Sequence, residues 1–184
     1  MKRPRATPVT PRAPTAINAR ALKRLARAHA ATVPLRLLAQ IDQFASMADW
    51  TVVPSVQVKS GWQPSARFLV VDGDLTAGKI LVRDGVSDFG VVIVLGDVTC
   101  GSFEVASGWT FVCTGAVDAK RTITATAADS ASYVGGKVKA KLVKSGNGAW
   151  LTLFGGAASL DAPVSHSVMV DGVGPLKARP PRTG

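Results

Sequence analysis

The side chains best suited to reaction chemistry are few, and their spacing does not assemble them. The chain has two histidines, His29 and His166, two cysteines, Cys100 and Cys113, and a single glutamate, Glu104. General acid–base catalysis needs a histidine or carboxylate within hydrogen-bond reach of a partner; His166 with Asp161 would be such a pair, yet neither histidine stands in a cysteine or carboxylate motif. A structural zinc site takes four ligands and a catalytic one three, which Cys100 and Cys113, 13 residues apart, do not supply. The segment GGKVK at 135–139 lacks the rest of a phosphate-cradling loop. The expectation is a non-enzymatic protein with no catalytic residues, no metal ligands, no cofactor and no small-molecule substrate.

Cations are far better supplied. There are 22 Lys and Arg against 12 Asp and Glu, a net charge of +10. Residues 1–41 hold nine of the cations and no acid, while the remainder holds 13 bases and 12 acids, or +1. The basic arm comprises Lys2, Arg3, Arg5, Arg12, Arg20, Lys23, Arg24 and Arg27, with Arg36 beyond it. Such an arm can neutralise the phosphates of nucleic acid or an anionic membrane surface, with an affinity that falls as salt rises. Its plainer alternative is a solvated tail. A second concentration lies further on: residues 72–118 carry seven acids and two bases, or −5, and residues 119–144 six bases and one acid, or +5. Those six, Lys120, Arg121, Lys137, Lys139, Lys141 and Lys144, form a candidate interaction patch for an acidic protein partner or for head-to-tail self-association.

The elements that must position these residues follow from composition. Residues 1–15, rich in Pro, Arg and Thr, bury too little apolar surface to offset the entropy of ordering and read as a disordered arm. Pro4, Pro8 and Pro11 also interrupt the amphipathic helix of an organellar transit peptide. Residues 16–49 read as helical. A basic amphipathic helix is expected from Thr15 to about Ala31, with Ile17, Ala21, Leu22, Leu25 and Ala28 on one face. A second opens at Pro34 and runs to about Ala48 with Leu35, Leu38 and Ile41 in its stripe. Leu22 and Leu25 could either pack on the rest of the chain or insert into an anionic membrane. Residues 50–171 are short Val-, Ile- and Phe-rich segments punctuated by Gly and Asp, the pattern of strands. Residues 172–184 read as a flexible tail, without enough apolar residues to dock. No uncharged apolar run approaches the about 18 residues of a membrane span.

Within the strand region a motif recurs: VVDGDLTA at 70–77, IVLGDVTC at 93–100, FVCTGAVDA at 111–119 and SYVGGKVKA at 132–140. Aligned on Gly73, Gly96, Gly115 and Gly136, the intervals are 23, 19 and 21 residues, a spacing that marks a solenoid. Two residues before each Gly stand Val71, Val94, Cys113 and Val134; two after, Leu75, Val98, Val117 and Val138; four after, Ala77, Cys100, Ala119 and Ala140. One parity means one direction in a strand. Stacked coils would place like upon like in an inner column, with Asp74, Asp97, Ala116, Lys137 and Thr76, Thr99, Asp118, Lys139 outside. Each Gly fits a corner where a Cβ is crowded or φ is positive. The fold expected is mainly β, a parallel β-helix whose end the N-terminal helices cap. Cys100 and Cys113 then fill inner slots as small buried hydrophobes.

VVDGDLTAGKILV, VIVLGDVTCGSFEV and DSASYVGGKVKAKLV resemble coils of the bacterial bactofilin-like, polymer-forming β-helix proteins over residues 66–144. The resemblance implies a right-handed β-helix with flexible basic tails, no catalytic centre, association through its ends in some members, and a bacterial cytoplasmic location. The coils here are longer and less uniform, and the helical N-terminal region is larger, than the family pattern has. The function expected is a non-enzymatic scaffold or protein-interaction module, self-assembling or neutralising a partner protein. The alternative is a nucleic-acid-binding protein, such as a small viral coat protein, with the arm on the genome and residues 50–170 in a β-sandwich.

Overall fold

Glycine and aspartate corners divide the Val-rich run into strands, and each pairs with its counterpart one coil away. The computed structural model describes residues 13–29, 33–146, 148–155, 157–160, 168–170 and 174–175. Lys2, Arg3, Arg5, Arg12, Asp161, His166 and most of the expected tail lie outside them. The elements are β1 (Thr15–Ile17), α1 (Ala19–Ala28), α2 (Leu35–Ala45), β2 (Trp50–Gln57), β3 (Gly61–Trp62), β4 (Phe68–Val82), β5 (Gly90–Val94), β6 (Val98–Val105), β7 (Trp109–Cys113), β8 (Val117–Ala125), β9 (Ala131–Val134), β10 (Val138–Ser145), β11 (Trp150–Leu153), β12 (Ala157–Leu160), β13 (Val168–Val170) and β14 (Gly174–Pro175).

The strands wind into a β-solenoid of about five turns. Pairing between coils is parallel, and only the first and last pairs, β1 with β2 and β13 with β14, are antiparallel among the described residues. The β-sandwich alternative is thereby overturned, since consecutive hairpins are absent from the body of the described chain. Three ladders run along the axis. The first joins the start of β4 to β5, β7, β9, β11 and β13. The second joins the middle of β4 to the starts of β6, β8 and β10 and to β12, and the third joins the later parts of β4, β6, β8 and β10.

The stacking follows the repeat. Val71 lies opposite Val94, Val94 opposite Cys113, and Cys113 opposite Val134. Leu75, Val98, Val117 and Val138 form a second row, and Ala77, Cys100, Ala119 and Ala140 a third. All are buried in one column that also holds Ile80, Phe103, Phe111, Ile123 and Val143. Removing such side chains from water stabilises the fold by about 1.5–3 kcal/mol each for the larger ones. The corner glycines are needed for close approach more than for backbone sign: of the four, only Gly73 has positive φ, at 127°. A Cβ on Gly136 would stand 2.6 Å from the Ala116 nitrogen and 2.7 Å from the Gly115 carbonyl oxygen. Main-chain bonds from Gly115 N to Gly96 O (3.1 Å) and Gly136 N to Gly115 O (2.8 Å) bind the corners to one another.

The two helices pack together against the outer side of one ladder. Leu22, Ala26, Leu37, Ile41 and Ala45 form a second core with Val70, Val91, Ile93 and Val112, the outward side of the first ladder. Along that side α1 lies beside the first coil, His29 against Asp72, and α2 reaches the Gly135 corner through Leu37 and Tyr133 through Phe44. It is β1 that covers part of the first coil's edge, at Trp50–Val52. The helix expected from Thr15 begins at Ala19 because the Asn18 side chain caps it, accepting from Ala21 N at 3.0 Å. Pro34 opens α2, its carbonyl accepting from Leu37 N and Leu38 N.

Candidate interaction surface

Because outward positions of successive coils lie in register, each outer row can be followed along the axis. On the second ladder Thr76, Thr99, Asp118 and Lys139 are aligned. On the third, Leu81, Glu104, Thr124 and Lys144 are aligned. The corner leading into the second ladder reads Asp74, Asp97, Ala116 and Lys137, each immediately before an aligned inner residue. These three rows each hold a lysine in β10 or directly before it. The corner between second and third ladders carries a register shift, where Lys120 and Arg121 of β8 bulge against the single Gly101 of β6 and the single Lys141 of β10. All six cations are exposed. Of them only Lys139 has an ion pair among the described residues, with Asp118 at 3.6 Å, and a surface pair of this kind contributes little.

The acids of the earlier coils are not simply solvated counterparts. Asp74 accepts from Asp97 N at 2.8 Å and Asp97 from Ala116 N at 2.7 Å, while Ser55 Oγ accepts from Asp74 N at 3.1 Å. Each side chain thus ties its corner to the next coil, and Ala116 ends the series. Asp84 instead closes a turn, accepting from Ser87 N (2.7 Å), Val86 N (2.9 Å) and Ser87 Oγ (2.8 Å). Those bonds, the Ser87 N–H foremost, hold its carboxyl below the usual 3.8.

The cysteines sit in the column. Burial pushes the Cys100 thiol up to about 11 and the Cys113 thiol higher still, and Cys113 Sγ donates to the Gly96 carbonyl at 3.3 Å. As neutral thiols they are poor nucleophiles and ligands. Among the described residues no three His, Cys, Asp or Glu side chains converge as a metal site. One pairing escapes sequence reasoning altogether: His29 Nε2 is 3.2 Å from Asp72 Oδ1. Forty-three residues separate them, and only the packing of α1 against the solenoid brings them together. Beside the pair is a hollow of about 360 Å³ between α1, β1 and β2, whose walls include Ile17, Arg24, Leu25, Val52, Pro54 and Asp72.

The four described members of the basic arm lie on α1. Arg20, Arg24 and Arg27 are exposed and Lys23 is half-buried, and Arg27 pairs with Asp42 of α2 at 3.0 Å. Of the two roles open to Leu22 and Leu25, packing is the one seen: Leu22 is fully buried and Leu25 packs against the same second core. The folded helix has already committed the face that a membrane would need. No helix among the described residues is long and apolar enough to cross a membrane. Compared with known proteins, the chain matches no family model, no curated protein and no solved structure.

Proposed function

We propose that this chain is a non-enzymatic interaction scaffold, a stiff β-solenoid whose late coil holds an acidic protein surface. The observation that supports this reading is the convergence of three outer rows on Lys137, Lys139 and Lys144 in one coil, with Lys141, Lys120 and Arg121 at the intervening corner. Main-chain pairing with β8, and with β12 at residues 138–140, fixes the backbone spacing of these cations, so no backbone need be ordered on contact, and charge complementarity sets specificity and on-rate. The coil motifs' resemblance to bactofilin-like proteins belongs to the same reading, and with it a right-handed winding and a bacterial cytoplasmic setting. The partner is a protein with a dense row of carboxylates, or the acidic early coils of another copy.

A fluorescent polyglutamate peptide is the probe, with binding followed by anisotropy at low salt. Affinity falls at least tenfold in Lys137→Glu/Lys139→Glu/Lys141→Glu. Equal binding by the variant, with its circular dichroism unchanged, overturns the assignment of this coil. Sedimentation velocity decides self-association: oligomers that grow with concentration and dissolve with salt support it, and a strict monomer at every concentration removes it.

A further inference from the structure

A second basic surface, remote in sequence from the first, has a different character. On α1, Arg20, Lys23, Arg24 and Arg27 follow the i, i+3, i+4, i+7 spacing of one helix face, opposite the buried Leu22 and Ala26. The stripe is about 10 Å long, the axial rise of about three nucleotides in one strand of a duplex.

Helix stability does not explain it. Arg20 with Lys23, Arg20 with Arg24, Lys23 with Arg27 and Arg24 with Arg27 are all like-charged neighbours, each unfavourable to the helix. The first turn carries no acid to meet the helix dipole. Asn18 caps the amide of Ala21, and the apolar face anchors the helix, so α1 is held in place despite its charges. Solubility alone would be served as well by mixed signs, which would also stabilise the helix. Among the described residues, only Arg27 of these four meets a carboxylate, that of Asp42.

We infer that the outward face of α1 is a nucleic-acid phosphate-backbone binding surface. Arg20, Lys23 and Arg24 make the contacts. Arginine favours this ligand because its planar fork matches a phosphate bidentately. An anionic membrane is the poorer fit, because the apolar residues that would insert beside these cations are packed under the helix. Nothing in the stripe reads bases, so binding is independent of sequence.

The test is filter binding of the full chain to random-sequence 20-nucleotide RNA, single-stranded DNA and duplex DNA across a salt series. Binding to duplex falls about a hundredfold between 50 and 200 mM salt, as three to four released counterions require. Arg20→Glu/Lys23→Glu/Arg24→Glu loses at least tenfold and flattens the salt slope, while Arg20→Lys/Arg24→Lys, which keeps the charge, stays within about threefold of the wild type. The inference is overturned if the charge-reversed helix binds as well as the wild type, which would assign binding to residues 1–12. It is also overturned if no nucleic acid binds at 50 mM salt, or if phosphatidylserine vesicles bind in its place.

Discussion

Two hydrophobic cores share the first ladder of strands and are built on opposite rules. The inner column takes alternate residues from all three ladders, and equivalent positions of successive coils hold equivalent side chains: Val71, Val94, Cys113, Val134. The outer core takes the intervening residues of one ladder only, Val70, Ile93 and Val112, and completes itself with two helices that repeat nothing. In β5 all five residues are buried, whereas β6 and β8 alternate buried with half-buried or exposed positions along most of their lengths. A strand covered on both faces must be apolar throughout, and one covered on a single face must alternate. The solenoid therefore has one face reserved for packing and two free to carry charge.

The largest expected effect separates the cores by their reach. Phe111, buried in the column and 4.7 Å from Phe103, is replaced by Ala at a cost of about 3–5 kcal/mol. Urea unfolding followed by far-ultraviolet circular dichroism should show helix and strand signals lost together, because β7 also supplies Val112 to the outer core. Retention of the helical signal after the strands melt would contradict that coupling. Leu37→Ala should cost about 2–4 kcal/mol and act on one core alone. Hydrogen exchange should quicken over residues 35–45 while residues 69–82 and 91–105 keep their protection; equal loss in both would mean the helices are integral to the coils.

Gly136→Ala sharpens the corner argument and should cost about 1–3 kcal/mol, since the Ala116 and Gly115 backbones around it cannot yield without disturbing two coils. A midpoint unchanged in thermal melts would show the corner has room. The smallest effect is local. The folded carboxyl of Asp84 titrates below 3.8, so its contribution is complete above that pH and is lost as pH falls through the folded value. A carbon-detected titration should place its midpoint below 3.8 and broaden the amides of Val86 and Ser87 there; a midpoint at or above 3.8 removes the turn's hydrogen bonds from the account.

Much of the solenoid was legible because its signal is local and repeated: a Gly every 19 to 23 residues, with side chains of matched size at fixed offsets. The outer core was legible only in part. The runs LVV at 69–71, VVIVL at 91–95 and FVC at 111–113 depart from the alternation of DVTC and AVDA, which marks one ladder as doubly covered but does not say by what. The two groups of cations could be counted, but not their geometry. Lys120 and Arg121 share a bulge, and Lys137, Lys139 and Lys144 sit on one coil, through registers that composition does not reveal.

The amino-acid sequence by itself determined the coil: small and branched apolar residues at one parity, glycine where backbones must touch, and polar residues between them. These are nearest-neighbour requirements, and each coil states them again. Only the tertiary structure decided which side of the solenoid the helices cover, that Leu22 is spent on that contact, and that His29 meets Asp72. Those contacts join segments that share no period, so their partners are chosen by complementary surface in three dimensions and by no spacing along the chain.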